Sequence, residues 1–403
     1  MAILRAVSFA SLKYFEIRNE RQILGRPIVK CLVQPGDGAM PLIKAINGAK
    51  KSVEILVFRF NRSEIEKALA AAVTRGVHVS ALIAYTNRGG EQRLRDLEMR
   101  LLAAGVSVSR TADDLVRYHG KLMIVDRRIL FLLAFNFTYL DMERSRSFGI
   151  VTTNKKHVEQ AVKLFEADTK RQPYTAGSAT FVVSPANARQ QLSAFIKGAK
   201  KELLIYDPEI SDPAIVRLLE SRARAGVEVR IIGKLKNPST VLQEPKALHI
   251  RLHTRSIIRD GSWAFVGSQS LRSLELDARR EVGIIFRDPK VVSRLVKTFK
   301  EDWEFKGQVT EPQPSAEEME QEDQASAAKV AKKVAKAVAE DLGPVKPVVD
   351  MTMRELSGAA PDIKLNHAEM ESTVKEAVKD AVRQVVRDFV EEATASRTAD
   401  TKA

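Results

Sequence analysis

Between residues 27 and 85 the chain switches between two spacings of apolar residues. PIVKCLVQ (27–34) is a short apolar run closed by the turn signal Pro35-Gly36-Asp37-Gly38, and it predicts a strand. PLIKAINGAKK places its apolar residues at helical spacing, whereas SVEILVFRF is a continuous apolar run of strand length. SEIEKALAAAVTRG is helical up to Gly76, and VHVSALIAY is again a buried strand. Ser63, with Glu66 three residues on, predicts a capping box at the second helix. Helices alternating with fully apolar strands predict an α/β fold whose mixed or parallel sheet is covered on both faces.

The same pattern returns 150 residues later. IKGAKKELLIYDPEISDPAIVRLLESRARAGVEVRIIG sets Gly198-Ala199-Lys200-Lys201 against Gly48-Ala49-Lys50-Lys51, and Gly226 against Gly76. Each half ends in a helical stretch, KHVEQAVKLFEADTKRQPY in the first and PKVVSRLVKTFKEDWEF in the second, with a linker from Gln172 to Thr180 and FVVSPANAR opening the second half. A duplicated unit of about 140 residues is the simplest account. The first copy is longer, and its surplus surrounds EQRLRDLEMRLLAAG, which predicts an additional helix. The division expected is an N-terminal extension 1–26, a first half 27–171, a second half 180–306, an acidic disordered linker 307–326 and a helical tail 327–403.

Composition separates the tail from the rest. Residues 311–403 hold 13 basic and 19 acidic side chains; the preceding 310 residues hold 52 and 32, so a balance of −6 follows one of +20 within the net +14. A core so positive attracts polyanions: nucleic acid, an anionic membrane surface or a phosphorylated substrate. TEPQPSAEEMEQEDQASA is acidic and nearly free of bulky apolar residues, as disordered segments are. Beyond it, Val330, Val334 and Val338, then Val374, Val378, Val382, Val385 and Phe389, mark amphipathic helices. Their thin valine and alanine stripe suits packing on the core or self-association better than membrane insertion.

A hydrophobic content of 44% and a charged content of 29% fit a soluble globular protein. No apolar run is long enough to span a bilayer, and the start, MAILRAVSFASLKYF, lacks the features of a signal peptide, so a surface helix or leading strand is expected there. The single cysteine, Cys31, excludes a disulfide framework and suits a reducing compartment. A cytoplasmic protein is expected, with peripheral contact at a membrane surface allowed.

The candidate chemistry lies in HGKLMIVDRRILFLLAFN, residues 119–136. Residues two apart on extended chain share a face, so His119 and Lys121 project together. An imidazole beside a fixed ammonium suits attack on a phosphate ester, one group bonding phosphorus and the other neutralising its oxygens. The pattern recurs in HTRSIIRDGSWAFVGSQS: His253, Arg255 and Asp260 follow His119, Lys121 and Asp126 by 134 residues, and the same offset carries Asn136 onto Ser270. Two copies suggest two halves facing one shared site.

These motifs resemble the phospholipase D superfamily, whose signature is HxKxxxxD followed six residues later by GSxN. The resemblance spans about residues 27 to 306 and implies a duplicated phospholipase D-like α/β fold: two mixed sheets flanked by helices, related by a pseudo-twofold, with the site between them. It implies a phosphohistidine on one motif histidine and proton donation to the leaving alcohol by the other, with no metal or other cofactor.

The halves depart from the signature differently. The first has Leu133-Ala134 for Gly-Ser; the second keeps Gly267 and Ser268 but has Arg255 for lysine and Ser270 for asparagine. The family also places a carboxylate 28 residues after each histidine to orient the opposite one. That position is Glu281 after His253 but Ser147 after His119. The implied assignment is His119 as nucleophile oriented by Glu281, His253 as general acid, Lys121 and Arg255 as phosphate cations, and Asn136, Ser268 and Ser270 as supporting groups. Asp126 and Asp260 are expected to hold strands and loops rather than substrate, and Asp141 or Glu143 could replace the missing carboxylate. Three functions fit: headgroup hydrolysis or transfer on phospholipids, a phosphodiesterase acting on nucleic acid, or a non-catalytic phosphate-binding protein whose tail is its interaction surface.

Overall fold

A computed structural model describes residues 27–85 and 91–305, without the side chains of 91–93. The N-terminal extension, the acidic linker and the helical tail lie outside the described residues.

The first half runs β1 (Val29–Gln34), α1 (Met40–Gly48), β2 (Ser52–Val57), α2 (Ser63–Thr74), β3 (His78–Ile83), α3 (Glu91–Ala103), β4 (Ser107–Arg110), β5 (Arg117–Tyr118), β6 (Leu122–Val125), β7 (Ile129–Leu133), α4 (Tyr139–Glu143), β8 (Ser145–Thr152) and α5 (Lys155–Thr169). The second runs β9 (Phe181–Val183), α6 (Ala188–Lys197), β10 (Glu202–Ile210), α7 (Pro213–Arg224), β11 (Glu228–Leu235), β12 (Arg251–Leu252), β13 (Arg255–Arg259), β14 (Trp263–Gly267), α8 (Ser273–Asp277), β15 (Arg279–Arg280), β16 (Val282–Phe286) and α9 (Pro289–Glu304).

One sheet has the order β1-β8-β7-β6-β2-β3-β4 and the other β9-β16-β14-β13-β10-β11. Strand for strand the two orders correspond, and only β4 has no counterpart. In each sheet the β2·β3 and β10·β11 pairs are parallel and the central hairpins antiparallel, as expected of a mixed sheet. The surplus of the first half is therefore α3 together with β4, which extends the parallel edge beside β3.

Alternating strand residues feed two different cores, the reason each strand reads as continuously apolar. Ile55 and Val57 face the layer of α1, α2 and α3, whereas Leu56 between them faces the layer shared by both halves. That shared layer also holds Leu164 and Phe165 of α5, Leu295 and Phe299 of α9, and Tyr206 of the second sheet. A third core lies beneath α6 and α7, with Leu192, Phe195, Ile215 and Leu219.

The capping box does not form. Helix α2 begins at Ser63 itself, with Arg62 in extended conformation at the N-cap and no side-chain cap. Glu66 instead receives the Arg100 guanidinium from α3, at 2.9 and 3.3 Å.

Two short parallel ribbons join the halves. In β5·β15, Arg117 and Tyr118 pair with Arg279 and Arg280; in β12·β8, Arg251 and Leu252 pair with Ser145 and Arg146. These are equivalent pairs 134 residues apart, as a pseudo-twofold requires. Each ribbon is reinforced by an ion pair to the opposite closing helix, Arg146 to Asp302 at 2.7 Å and Arg280 to Asp168 at 3.1 Å.

Candidate active site

Each motif histidine follows directly on one strand of a cross-half ribbon. The His119 N–H donates to Arg280 O at 2.8 Å and the His253 N–H to Arg146 O at 3.1 Å. Residues 119–121 are linking chain between β5 and β6 rather than strand. Lys121 nevertheless reaches the His119 side. Gly120 has no room for a side chain there, since a Cβ would meet Val282 at 2.9 Å and Leu56 at 3.0 Å.

The His119 ring is held on three sides. Nδ1 lies 3.0 and 2.9 Å from the two Glu281 oxygens, Nε2 lies 2.8 Å from Lys121 Nζ, and the Phe58 ring stands edge-on at 4.5 Å. A lysine ammonium only donates, so Nε2 is the accepting nitrogen and Nδ1 carries the ring proton toward Glu281. Burial pushes the His119 pKa well down, and Lys121, Arg255, Arg117 and Arg279 push it further, so the ring is neutral with its lone pair on Nε2. Lys121, 1% exposed, also donates to His119 O at 2.8 Å. Burial lowers its own pKa as well, against the pull of Glu281. Glu281 is fully buried and raised by that burial, with Lys121 and the Ser268 hydroxyl opposing. Ser268 Oγ additionally accepts the Val282 N–H at 3.1 Å.

The second centre is built differently. Arg255 donates from Nη1 to His253 O at 2.7 Å, the counterpart of the lysine bond, and from Nε to Ser270 Oγ at 3.2 Å. Beside them lies Asp207, 1% exposed, which accepts the Leu271 and Glu209 N–H groups at 2.7 and 3.0 Å and hydrogen-bonds Ser270. Burial raises its carboxyl to about 6, with the Leu271 N–H and Arg255 opposing. Sequence reasoning missed Asp207. Its signal was an aspartate interrupting the apolar run ELLIYDPEI, where the first copy has Val57.

His253 has no counterpart to Glu281. Its Nδ1 is buried without a hydrogen-bond partner, and so is Ser147 Oγ, at the position where the carboxylate is missing. Its Nε2 lies 3.6 Å from Asp141 Oδ2. Asp141 also accepts the Asn136 N–H at 2.8 Å, Asn136 Nδ2 at 2.7 Å and Arg251 Nη1 at 2.7 Å. Glu143, the other candidate, is bonded to Arg62 at 2.9 Å.

Asp126 and Asp260 stand apart from this centre, at the far ends of β6 and β13. Each has positive φ, 52° and 53°, and each carboxylate gathers three successive N–H groups: Lys50, Lys51 and Ser52 for Asp126, and Lys200, Lys201 and Glu202 for Asp260. Burial raises both carboxyls, but these donors outweigh it and leave both below the ordinary range. They fasten each hairpin turn to the start of the neighbouring strand. The remaining expected residues form two clusters, His119 with Lys121, Glu281 and Ser268, and His253 with Arg255 and Ser270, Asn136 being joined to the second through Asp141; Lys121 lies within electrostatic reach of His253, and Arg255 of His119. A neutral imidazole lone pair, two buried cations and a second histidine can together handle a phosphate ester.

Comparison with known proteins agrees with this architecture. The family model described as "Cardiolipin synthase, PLD-like domain" matches residues 42–169 and 192–303, more than half of the chain. The mitochondrial cardiolipin hydrolase of Canis lupus familiaris is 26% identical over 141 residues, 34% of this chain and 53% of that protein, so the chain spans about half the length of this curated relative. Among solved structures, polyphosphate kinase from Porphyromonas gingivalis superposes with a TM-score of 0.58 at 17% identity, covering 69% of this chain and 51% of that one. Phosphatidylserine synthase from Haemophilus influenzae Rd KW20 gives 0.54 at 12% identity, covering 78% and 94%. These two structural likenesses are likenesses of fold.

Proposed function

Because the chain belongs to the phospholipase D-like, cardiolipin synthase-type family, we propose that it is a phosphodiester hydrolase or transferase acting on phospholipid headgroups. The observation that carries the reading is the state of His119: neutral, its proton committed to Glu281 and its Nε2 lone pair covered only by a lysine ammonium.

Nε2 of His119 attacks phosphorus, and Lys121 shifts from the imidazole to a phosphate oxygen as the lone pair is spent. The N–P bond forms as the bond to the leaving alcohol breaks, and His253, in its imidazolium form, gives its Nε2 proton to the departing oxygen and is left neutral. Water or a second alcohol then attacks the phosphohistidine, and His253 takes back a proton from it. Glu281 holds the ring and stabilises the positive charge that His119 acquires in the intermediate. Lys121 and Arg255 neutralise the phosphate oxygens, the arginine able to present two donors.

The lipid substrate is supported by the family's description and by the relative's being named a cardiolipin hydrolase. Among the described residues no helix is long and apolar enough to cross a membrane. A nucleic-acid phosphodiester is the second reading, favoured by the +20 balance of the first 310 residues.

The test is headgroup release from mixed phospholipid vesicles in EDTA, with plasmid DNA in parallel and His119→Ala as the control in both. Lipid cleavage that the variant loses is the result expected. Cleavage of DNA alone would move the substrate to nucleic acid. Silence in both, with folded protein, would overturn the enzymatic reading in favour of phosphate binding.

A further inference from the structure

Position 147 leaves the second centre with a gap that a different residue fills from the other side. At the first centre a carboxylate meets Nδ1, the nitrogen remote from the chemistry. At the second, Nδ1 of His253 and the hydroxyl of Ser147 are both buried and unpartnered, and the nearest carboxylate, Asp141, faces Nε2 instead. We infer that Asp141, contributed by the first half, is the positioning residue that keeps the proton on the reacting nitrogen of His253. This rests on the reading of His253 as general acid.

The geometry suits an acid and would not suit a nucleophile. A carboxylate on Nδ1 makes Nε2 a better electron donor, which is the need of His119. A carboxylate facing Nε2 favours a proton there, which is the need of His253. At 3.6 Å the contact is longer than a hydrogen bond, so a proton on Nε2 stays available to a leaving oxygen. Asp141 cannot close that gap, because Asn136 N, Asn136 Nδ2 and Arg251 Nη1 already hold its oxygens at 2.7–2.8 Å. The same carboxylate therefore fixes the Asn136 amide and the His253 proton together.

The groups facing His253 are Asp141 from α4, Arg251 from β12, Arg255 from β13 and Lys121 from the first centre. Burial and the three cations drive the ring toward neutrality, and Asp141 alone among them favours the proton. Asp141 is itself held far below the ordinary carboxylate range: burial raises it, but His253, Arg251 and the Asn136 N–H lower it more.

The experiment follows the His253 imidazole by histidine-selective nuclear magnetic resonance in the full chain, beside the pH profile of kcat/KM. In the native protein the His253 resonances should titrate within the pH range over which the protein stays folded. Asp141→Asn should lower the midpoint by about one pH unit or more, and the alkaline limb of the profile should move down with it. Adding Ser147→Glu to Asp141→Asn, which restores a carboxylate on the Nδ1 side, should bring the midpoint back up. A purely structural Asp141 would give neither the shift nor the rescue. An unchanged midpoint in Asp141→Asn, or a native His253 that does not titrate while the protein stays folded, would overturn the inference. Should Asp141→Asn not fold, Asp141→Glu keeps the charge and narrows the gap, and a midpoint that fails to rise would count equally against it. The resonance measurement needs no turnover, so a failure of the enzymatic reading, seen as inactive but normally titrating protein, remains distinguishable.

Discussion

Where the first half has Lys121, Asn136 and Val57, the second has Arg255, Ser270 and Asp207 at the corresponding positions. The exchanges are physically linked. A buried guanidinium needs an anion, and Asp207 supplies one where the first copy has Val57. Serine is short enough to fit between Arg255 and Asp207, where it bonds both. The outcome is one cation tied into a network and one, Lys121, bonded only to its own histidine among the contacts described. What the contrast teaches is divergence within a repeat: the scaffold recurs, while the two centres hold their histidines and cations differently, the difference on which the proposed division between nucleophile and acid rests.

The sharpest way to break this division is to use a leaving group that needs no proton. With ordinary substrate, His119→Ala and His253→Ala should each lose on the order of 10⁴-fold in kcat. With a p-nitrophenyl phosphodiester, His253→Ala should still give a burst of p-nitrophenol and a trapped phosphoenzyme, and His119→Ala should give neither. Equal bursts in the two variants, or label on His253, would reverse the assignment.

The carboxylates differ next. Glu281→Gln should cost about 10²–10⁴-fold in kcat by releasing the ring and its charge. Ser147→Ala, at the equivalent place in the other half, should stay within about twofold. Steady-state rates of the pair settle whether the two positions have truly diverged.

The ion pairs on the ribbons should separate in stability. Asp302 is bound by Arg146 at 2.7 and 2.9 Å and by the Tyr206 hydroxyl at 2.6 Å, so Asp302→Asn should cost about 3–5 kcal/mol in denaturant unfolding. Asp168 is paired with Arg280 at 3.1 Å, and burial raises its carboxyl to about 6. A folded value above the unfolded one makes ionisation destabilising, so its contribution improves as pH falls from about 6 toward 4. The stability difference between native protein and Asp168→Asn should therefore shift toward the native protein by up to roughly 3 kcal/mol across that window. A difference that is flat with pH would contradict this.

The smallest effect sharpens the idea of linked exchange. Arg255→Lys alone should lose about tenfold in kcat/KM, because the Nε bond to Ser270 and the planar fork are lost. Adding Ser270→Asn and Asp207→Val, which recreates the residues of the first centre, should recover most of it. A triple variant worse than the single one would show that the three positions are not coupled.

The sequence made legible what repeats or follows fixed spacing. Sheet composition and the duplication rest on patterns and offsets countable along the chain, and the pairing of Glu281 with His119 on what the family resemblance implies. Besides Asp207, three features escaped. Strand β4 is four residues long and mostly polar, so its pattern is too short to register. The capping box at Ser63 lost to tertiary contacts, since Glu66 is engaged by Arg100 from a helix that only the folded first half brings near. Asp141 could be named as a candidate, but its partner depends on β12 crossing to pair with β8, and no local pattern encodes which carboxylate a foreign histidine will meet.

The two cross-half ribbons also govern how the molecule can be taken apart and reassembled. Each ribbon draws one strand from either half, pairing Arg117 with Arg279 and Arg251 with Ser145 across long stretches of sequence. Contacts so distant close late in folding, after the loops between them have been ordered. Each histidine follows one strand of a ribbon and hangs by its N–H from the other, so neither half alone carries a finished centre. Severed in the largely exposed stretch between 172 and 180, the protein would become two fragments that are each inert and that regain a site only by mutual complementation.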